Sequence, residues 1–359
     1  MDGIELTGGP RERVIDIHTH VIPRRLAESA QRGDGRFGIA FGRDSEGQIT
    51  TSVGGSTVSI PWPTPLESPE YRVRTMDERR VDVHALSLSP LMHWYDLPSA
   101  DAVAMAREAN DDIAEMVDRF PSRFLGLGFL PLQDPAAAIE ELERCLTELG
   151  FIGIMVGTNV GGLDWDASQL FPVLQAARDL KALVFMHPAR GRADSFLTRY
   201  HLRNLIGNPL ETTVAIASLI FGGVLDRLPE LDVCFAHGGG YACLGAGRFD
   251  RGNRVRPEAR DIALLPSQYL TGLYFDSLVH SHAALRHLVN VVGSDRIVLG
   301  SDYPADMGEP FPVEFLESDP DLTPNERRLI LGGNMERLIA AGTKQDASRK
   351  YRDDRSDPA

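Results

Sequence analysis

A chain of 359 residues with 43% hydrophobic content can bury a large core, enough for one α/β barrel or for two smaller domains. The net charge of −14 argues against nucleic acid or an anionic membrane surface as a partner, because phosphate binding needs basic patches. No apolar run approaches the roughly 18 residues that cross a bilayer, and the polar start Met1-Asp2-Gly3-Ile4-Glu5 lacks the basic and apolar regions of a secretory signal, so a cytoplasmic location is expected.

In chain order, Val14 to Ile17 reads as a first strand that runs into Asp16-Ile17-His18-Thr19-His20. Residues 24–65, rich in Gly, Ser, Pro and charge, read as an insertion holding a small hairpin over Gly47 to Ile60. Ser68 to Arg80 reads as a helix with Ser68 as N-cap and Pro69 in its first turn, where the missing N–H costs nothing. The run from Val81 to Ser89, closed by Pro90, is a second strand. The alternation then continues: helix 99–120, strand Phe124 to Leu130, helix 135–149, strand Gly150 to Val156, helix 167–180, strand Ala182 to Met186. A long apolar helix from Pro209 to Asp226 precedes strand Leu231 to Ala236. Helix 240–254, strand Leu273 to Phe275, helix 282–292 and strand Ile297 to Leu299 follow, and helices near Thr323 to Leu331 and Asn334 to Ala341 close the fold. The tail 343–359 alternates charges without an apolar period and is expected to be disordered.

Eight apolar strands separated by helices predict a (β/α)8 TIM barrel as a single domain over 1–342, with a small inserted hairpin after the first strand. Gly238-Gly239-Gly240 and Gly161-Gly162 lack the spacing of a phosphate-binding loop. Cys145, Cys234 and Cys243 are too scattered for a disulfide framework and read as core residues.

In such a barrel, side chains at the carboxyl ends of the strands converge on one mouth. The first strand supplies His18 and His20, which at i, i+2 share a face; the fifth supplies His187, the sixth His237 and the eighth Asp302. Imidazoles His18, His20 and His187 with the Asp302 carboxylate make a set suited to one divalent ion, Zn2+ first, with Mn2+ or Fe2+ acceptable. Asp16 shares strand parity with both histidines and is a candidate to orient them, or a buried structural aspartate. A rival pair, His280-Ser281-His282, falls where a helix begins and reads as loop or helix surface. His84, His201 and His287 read as structural. His93 follows the second strand at the mouth and either touches substrate or packs.

The combination Asp-x-His-x-His, Leu130-Pro131-Leu132-Gln133-Asp134, His187-Pro188, Ala236-His237-Gly238-Gly239-Gly240 and Gly300-Ser301-Asp302-Tyr303-Pro304 resembles the decarboxylase branch of the amidohydrolase superfamily. It is most similar to the aminocarboxymuconate-semialdehyde decarboxylases, with resorcylate, carboxyvanillate and salicylate decarboxylases and oxalomesaconate hydratase as relatives. The resemblance spans residues 14 to 341. It implies the amidohydrolase barrel with one divalent metal on His18, His20, His187 and Asp302, and His237 as the catalytic histidine. Binuclear relatives bridge two ions with a lysine or glutamate after the fourth strand, where this chain has Ile154-Met155-Val156-Gly157-Thr158-Asn159; the barrel's lysine, Lys181, precedes the fifth strand. Single-metal chemistry is therefore expected.

The function expected is non-oxidative decarboxylation of a conjugated or aromatic carboxylic acid with an ortho hydroxyl or amino group, the proton coming from His237 or Asp302. Hydrolysis or hydration of a small carboxylated or cyclic substrate on the same site is the alternative. Three departures bear on the substrate. The family's clamp arginine after the hairpin has no counterpart in Thr57-Val58-Ser59-Ile60-Pro61-Trp62, the aromatic residue after Tyr-Pro is Ala305, and an apolar residue of the loop after the second strand is His93. Arg190 and Arg192 are replacement anion binders or surface arginines. Arg248 matches the arginine that the resemblance places near the neighbouring subunit's site, implying a homodimer; the rival reading is a helix-surface salt bridge.

Overall fold

Short apolar strands alternating with helices build the barrel of the computed structural model, which describes residues 12–342 except 33–35, 44, 46–48, 54–55, 61–66 and 193–194. β1 (Ile15–Val21) leads into α1 (Arg24–Arg32) and an antiparallel sheet of β2 (Ala40–Arg43), β3 (Ile49–Val53) and β4 (Ser56–Ile60). The wall continues with α2 (Pro69–Glu78), β5 (Val83–Leu88), α3 (Ser99–Arg119), β6 (Phe124–Gly128), α4 (Pro135–Thr147) and β7 (Gly153–Gly157). Next come α5 (Phe171–Leu180), β8 (Leu183–His187), α6 (Asn208–Phe221), α7 (Val224–Arg227), β9 (Val233–Phe235), α8 (Ala242–Val255) and α9 (Pro266–Leu270). β10 (Tyr274–Asp276), α10 (His282–Val292) and β11 (Ile297–Val298) complete the wall; α11 (Pro312–Ser318), α12 (Pro324–Arg328) and a helical stretch over 334–342 follow.

Eight strands hydrogen-bond in the order β1-β5-β6-β7-β8-β9-β10-β11, each neighbouring pair parallel. The ring closes where Ile17 N–H donates to Leu299 O at 3.0 Å and His20 N–H to Tyr303 O at 2.7 Å. Both faces of the strands are buried, which is why they read as near-continuous apolar runs. Met155 and Phe185 point into the barrel with Ile15, Ile17, Leu127 and Cys234, over Met335 of the last helix. Their neighbours Ile154, Val156, Val184 and Met186 pack outward beneath the helices. The three cysteines are free and buried, as expected of core residues.

One irregularity sets up the site. The β1–β5 register shifts between Asp16 and Thr19, and the Asp16 carboxylate accepts the N–H of His18 at 3.0 Å in place of a ladder partner. Ile15, Ile17 and then His18 consequently all face inward: the first two pack with Phe185 inside the barrel, and the His18 ring lies 5.1 Å from Phe185. Unbroken alternation cannot do this, so the expectation that Asp16 shares the histidines' parity is corrected. Asp16 instead accepts from Ser301 Oγ at 2.5 Å and lies 3.9 Å from His84.

The inserted segment is more than a hairpin. β3 and β4 pair antiparallel as expected, but β2 adds a third strand and α1 precedes it. The helix expected from Pro209 to Asp226 breaks at Gly223, whose left-handed backbone (φ 66°) restarts it as α7. Ser68 caps α2 as expected, its Oγ accepting from Tyr71 N–H at 3.2 Å. The tail 343–359 and Pro61-Trp62 lie outside the described residues.

Candidate active site

All five strand-end residues meet at the carboxyl mouth. His18 and His20 come from β1, His187 ends β8, and His237 and Asp302 lie just beyond β9 and β11. The His18 ring is 5.0 Å from His20, 4.8 Å from His187 and 5.2 Å from His237. Asp302 Oδ1 lies 3.3 Å from His18 Nε2 and 3.0 Å from His20 Nε2, while its Oδ2 is 3.7 Å from His237 Nε2. One donor atom from each of His18, His187, His237 and Asp302 falls within 4.8 Å of all the others.

The imidazoles are aimed by what holds their other nitrogen. His187 Nδ1 lies 2.7 Å from Pro188 O, an acceptor only, so Nδ1 carries the proton and Nε2 a lone pair. Ser87 Oγ donates to Thr19 O and therefore accepts from His20 Nδ1 at 3.0 Å. His18 Nδ1 is 2.6 Å from Asp276 Oδ2. Each ring thus turns Nε2 toward Asp302. His187 Nε2 is buried and makes no hydrogen bond, a cost that a bound cation would remove. Imidazoles and a carboxylate converge as a divalent metal requires: the four donors of His18, His187, His237 and Asp302 cluster together, and His20 Nε2 lies 3.0 Å from Asp302 Oδ1, so His20 and His237 compete for the third imidazole position.

Electrostatics agree with that set. Burial pulls the His20 pKa down to about 4 against the pull of Asp302. Burial, helped by His18, pushes His187 well below the usual imidazole range. Both are neutral at pH 7, as metal donors must be. At His18 burial also opposes charge, but the Asp302 and Asp276 carboxylates outweigh it and raise the pKa to about 10. Asp302, despite burial, is held well below the carboxylate range by His18. The two carboxylates therefore favour positive charge at His18, a role that a divalent cation bound there would fill.

The backbone pays for this aim. His237 (φ 54°) and Asp302 (φ 60°) are both left-handed, a conformation costing non-glycine residues about 1–3 kcal/mol and found where function over-determines the chain. Two glycines are obligatory beside them. A Cβ on Gly240 would lie 2.1 Å from Pro209 O, and one on Gly300 would lie 2.7 Å from Asp276 Cβ and 3.0 Å from His18 Cβ.

Asp276 was not singled out in the sequence, although it ends β10 just as the site residues end or follow their strands. Besides His18 it accepts the N–H of Gly238 at 2.8 Å, so one carboxylate fixes both the His18 ring and the turn that carries His237. Asp276→Asn should weaken metal binding about 10- to 100-fold, measured by competition with a chelator; unchanged affinity would show that His18 needs no such partner.

The remaining candidates divide. His93 is buried, with its ring 4.8 Å from Phe129 and its Nδ1 3.3 Å from Tyr95 OH. Burial, with His20 nearby, lowers its pKa to about 3. An unfolded His93 takes a proton near pH 6.5 and the folded one does not, so the stability linked to it is present above pH 6.5 and is lost as pH falls toward 3. His93→Phe should therefore flatten the fall in melting temperature of the metal-free protein between pH 6.5 and 4; an unchanged slope would contradict the burial of a neutral ring.

The Arg190 guanidinium lies 4.0 Å over the Trp94 ring, and its Nη2 is buried without a hydrogen bond. Arg192 is taken up by Asp164 at 2.5 Å. Arg248 is exposed on α8, outside the cluster. The His280/His282 pair diverges: His282 Nε2 is 3.0 Å from Phe315 O, while His280 is exposed. His280 and His287 both line a cleft that also contains His237 and Asp302.

The amidohydrolase family model matches residues 15–340. The chain belongs to the amidohydrolase family. This amidohydrolase is 36% identical over 330 residues to the 2-amino-3-carboxymuconate-6-semialdehyde decarboxylase of Dictyostelium discoideum, covering 90% of each chain. Its fold is that of the 5-carboxyvanillate decarboxylase of Sphingomonas paucimobilis, with a TM-score of 0.77 at 24% identity over 92% of this chain and 99% of that one. A dihydroxybenzoic acid decarboxylase of Polaromonas, solved with bound manganese and 2-nitroresorcinol, aligns with a TM-score of 0.75 at 24% identity, covering 92% of this chain and 97% of that one. Among the described residues of this amidohydrolase, no helix is long and apolar enough to cross a membrane.

Proposed function

We propose that this amidohydrolase is a metal-dependent, non-oxidative decarboxylase of a conjugated or aromatic carboxylic acid that carries an ortho hydroxyl or amino group. The observation that carries the reading is the convergence of His18, His187, His237 and Asp302, whose donor atoms lie within 4.8 Å of one another, with His20 Nε2 3.0 Å from Asp302 Oδ1. A single divalent ion bound there would hold the substrate carboxylate with its neighbouring oxygen and stabilise charge as the C–C bond breaks. Zinc suits three nitrogens and one carboxylate oxygen, and manganese, present in the Polaromonas relative, is the second choice.

The chain's own residues do the rest. Breaking the C–C bond releases CO2 and leaves the electron pair on the substrate carbon, which then takes a proton. His237 Nε2 is 3.7 Å from Asp302 Oδ2, and both groups line the cleft beside the cluster. His237 has the more open side chain, 17% exposed against 11% for Asp302, and is the group assigned to deliver the proton. Phe185, against the His18 ring, keeps water from the barrel side. Arg190, braced on Trp94 with an unpaired N–H, is the candidate to bind a substrate anion in place of the missing clamp, and His93 borders the site through His20.

We assign the chain to a cytoplasmic homodimer built on one barrel domain over 1–342, in which Arg248 would serve the neighbouring site. Exposed Leu205, Ile206, Tyr241 and Leu244, from the approach to α6 and the start of α8, supply an apolar face for a second copy. The test is CO2 release from ortho-hydroxybenzoates and muconate-type acids by metal-loaded protein, run beside His187→Ala. The reading expects release that disappears together with bound metal in the variant. Full metal occupancy in His187→Ala would remove it from the ligand set.

A further inference from the structure

Little of the sheet itself holds Asp302 in place. β11 ends at Val298, four residues earlier, and the backbone at Asp302 is left-handed (φ 60°). Main-chain bonds tie this segment to β1 at Leu299, which accepts from Ile17 N–H, and again at Tyr303, which accepts from His20 N–H. Between those two points the link to β1 runs through Asp16 and Ser301. Ser301 N–H donates to Asp16 Oδ1 at 3.1 Å, and Ser301 Oγ donates to Asp16 Oδ2 at 2.5 Å. Tyr303 N–H donates to the same Oγ at 3.2 Å, which leaves the hydroxyl hydrogen for Asp16.

Asp16 carries the other end of the tie. Its Oδ1 also accepts His18 N–H at 3.0 Å, across the register shift that turns His18 inward. One carboxyl group therefore holds the peptide of His18 and the peptide of Ser301, the residue before Asp302. Asp16 and Ser301 are both buried, where an unmet donor or acceptor is costly. The two segments are in close contact at the neighbouring glycine, where a Cβ on Gly300 would lie 3.0 Å from His18 Cβ. What this contact fixes is the spacing of two donors, with Asp302 Oδ1 standing 3.3 Å from His18 Nε2. Metal–ligand distances tolerate a spread of only about 0.2 Å, so a shift of the 301–303 segment changes how well the pair can hold an ion.

We propose that Ser301 is a positioning residue for the metal site: its hydroxyl, working through Asp16, sets the distance between the Asp302 carboxylate and the His18 ring. Without the hydroxyl, Asp16 Oδ2 and Tyr303 N–H both lose a partner, and the left-handed turn at Asp302 loses a contact that holds it to β1. The inference rests on the proposed metal site and is independent of which acid is turned over there.

Binding of Co2+ to the full chain, followed by its visible spectrum and by competition with a chelator, tests it without turnover. Ser301→Ala should bind roughly 10- to 100-fold more weakly, the loss found when a partner that orients a metal ligand is removed, and its Co2+ spectrum should change. Ser301→Thr restores the hydroxyl, and the cleft of about 250 Å3 that Ser301 lines offers space for the extra methyl. Its affinity should lie within about threefold of wild type, with the wild-type spectrum. Asp16→Asn removes an acceptor from the other side of the contact and should weaken binding in the same direction, which keeps the test decisive if Ser301→Ala does not fold. Asn334→Ala breaks two bonds at the start of β11, to Ser294 O and Ile297 O, and should lower the melting temperature while keeping the metal. Wild-type affinity and spectrum in Ser301→Ala, equal losses in Ser301→Ala and Ser301→Thr, or loss of metal from Asn334→Ala in step with its stability would overturn the inference alone. A wild-type protein that takes up no Co2+ would overturn the metal site on which it rests.

Discussion

Replacing His237 by asparagine is expected to slow CO2 release about a hundred- to ten-thousand-fold, the range for loss of a positioned proton carrier. Metal content and melting temperature should stay at wild-type values. The separation matters because His237 also lies within 4.8 Å of the other donor atoms. Were it a ligand, the variant would lose the ion as well as the rate. Its ring belongs to a different turn from the other histidines, held by the Asp276 carboxylate through Gly238 N–H, and its Nε2 is 0.7 Å farther from Asp302 than that of His20, 3.7 against 3.0 Å. The asparagine amide fills similar space but carries no proton to deliver. Metal analysis and single-turnover kinetics on one preparation decide between the roles.

The second large effect concerns stability. Arg72→Leu should cost about 3–5 kcal/mol, the loss seen when one partner of a buried ion pair is removed. Arg72 is 1% exposed, with Nε 2.6 Å from Glu67 Oε1 and Nη2 donating to His20 O at 2.6 Å. Tyr303 OH donates to the other Glu67 oxygen at 2.5 Å, and the guanidinium lies 4.8 Å over the Tyr303 ring. The arginine therefore ties the end of β1, at His20, to the residue after Asp302. Leucine would leave the buried Glu67 carboxyl with the tyrosine hydroxyl alone. Denaturant unfolding of the metal-free proteins measures the loss, and a change below ~1 kcal/mol, typical of an exposed pair, would mean that water reaches Glu67.

The sequence made the strand ends legible because one rule, polar residues where apolar runs stop at a barrel mouth, selects His18, His20, His187, His237 and Asp302. The same rule passes over Asp276 only because β10 is three residues long and its aspartate reads as the start of a loop. The bulge in β1 leaves no trace in sequence: residues 15 to 21 are buried throughout, so there is no polar alternation whose break could reveal it. Arg72 was equally hidden, since a charged residue in a helix reads as solvent-facing until its partners Glu67 and Tyr303 are brought to it by the fold. The insertion after β1 was read by composition, and composition marks turns better than it marks α1 or β2. His280 was read as loop or helix surface, and its place in the cleft depends on where α10 packs.

The most direct measurement follows a carbon-13 label in the substrate carboxyl group during turnover by metal-loaded protein in deuterium oxide. The account predicts that all of the label leaves as CO2 and that one deuterium stands on the carbon it left. Label retained in a product that has gained the elements of water, or that has been cleaved at an ester or amide, would contradict it.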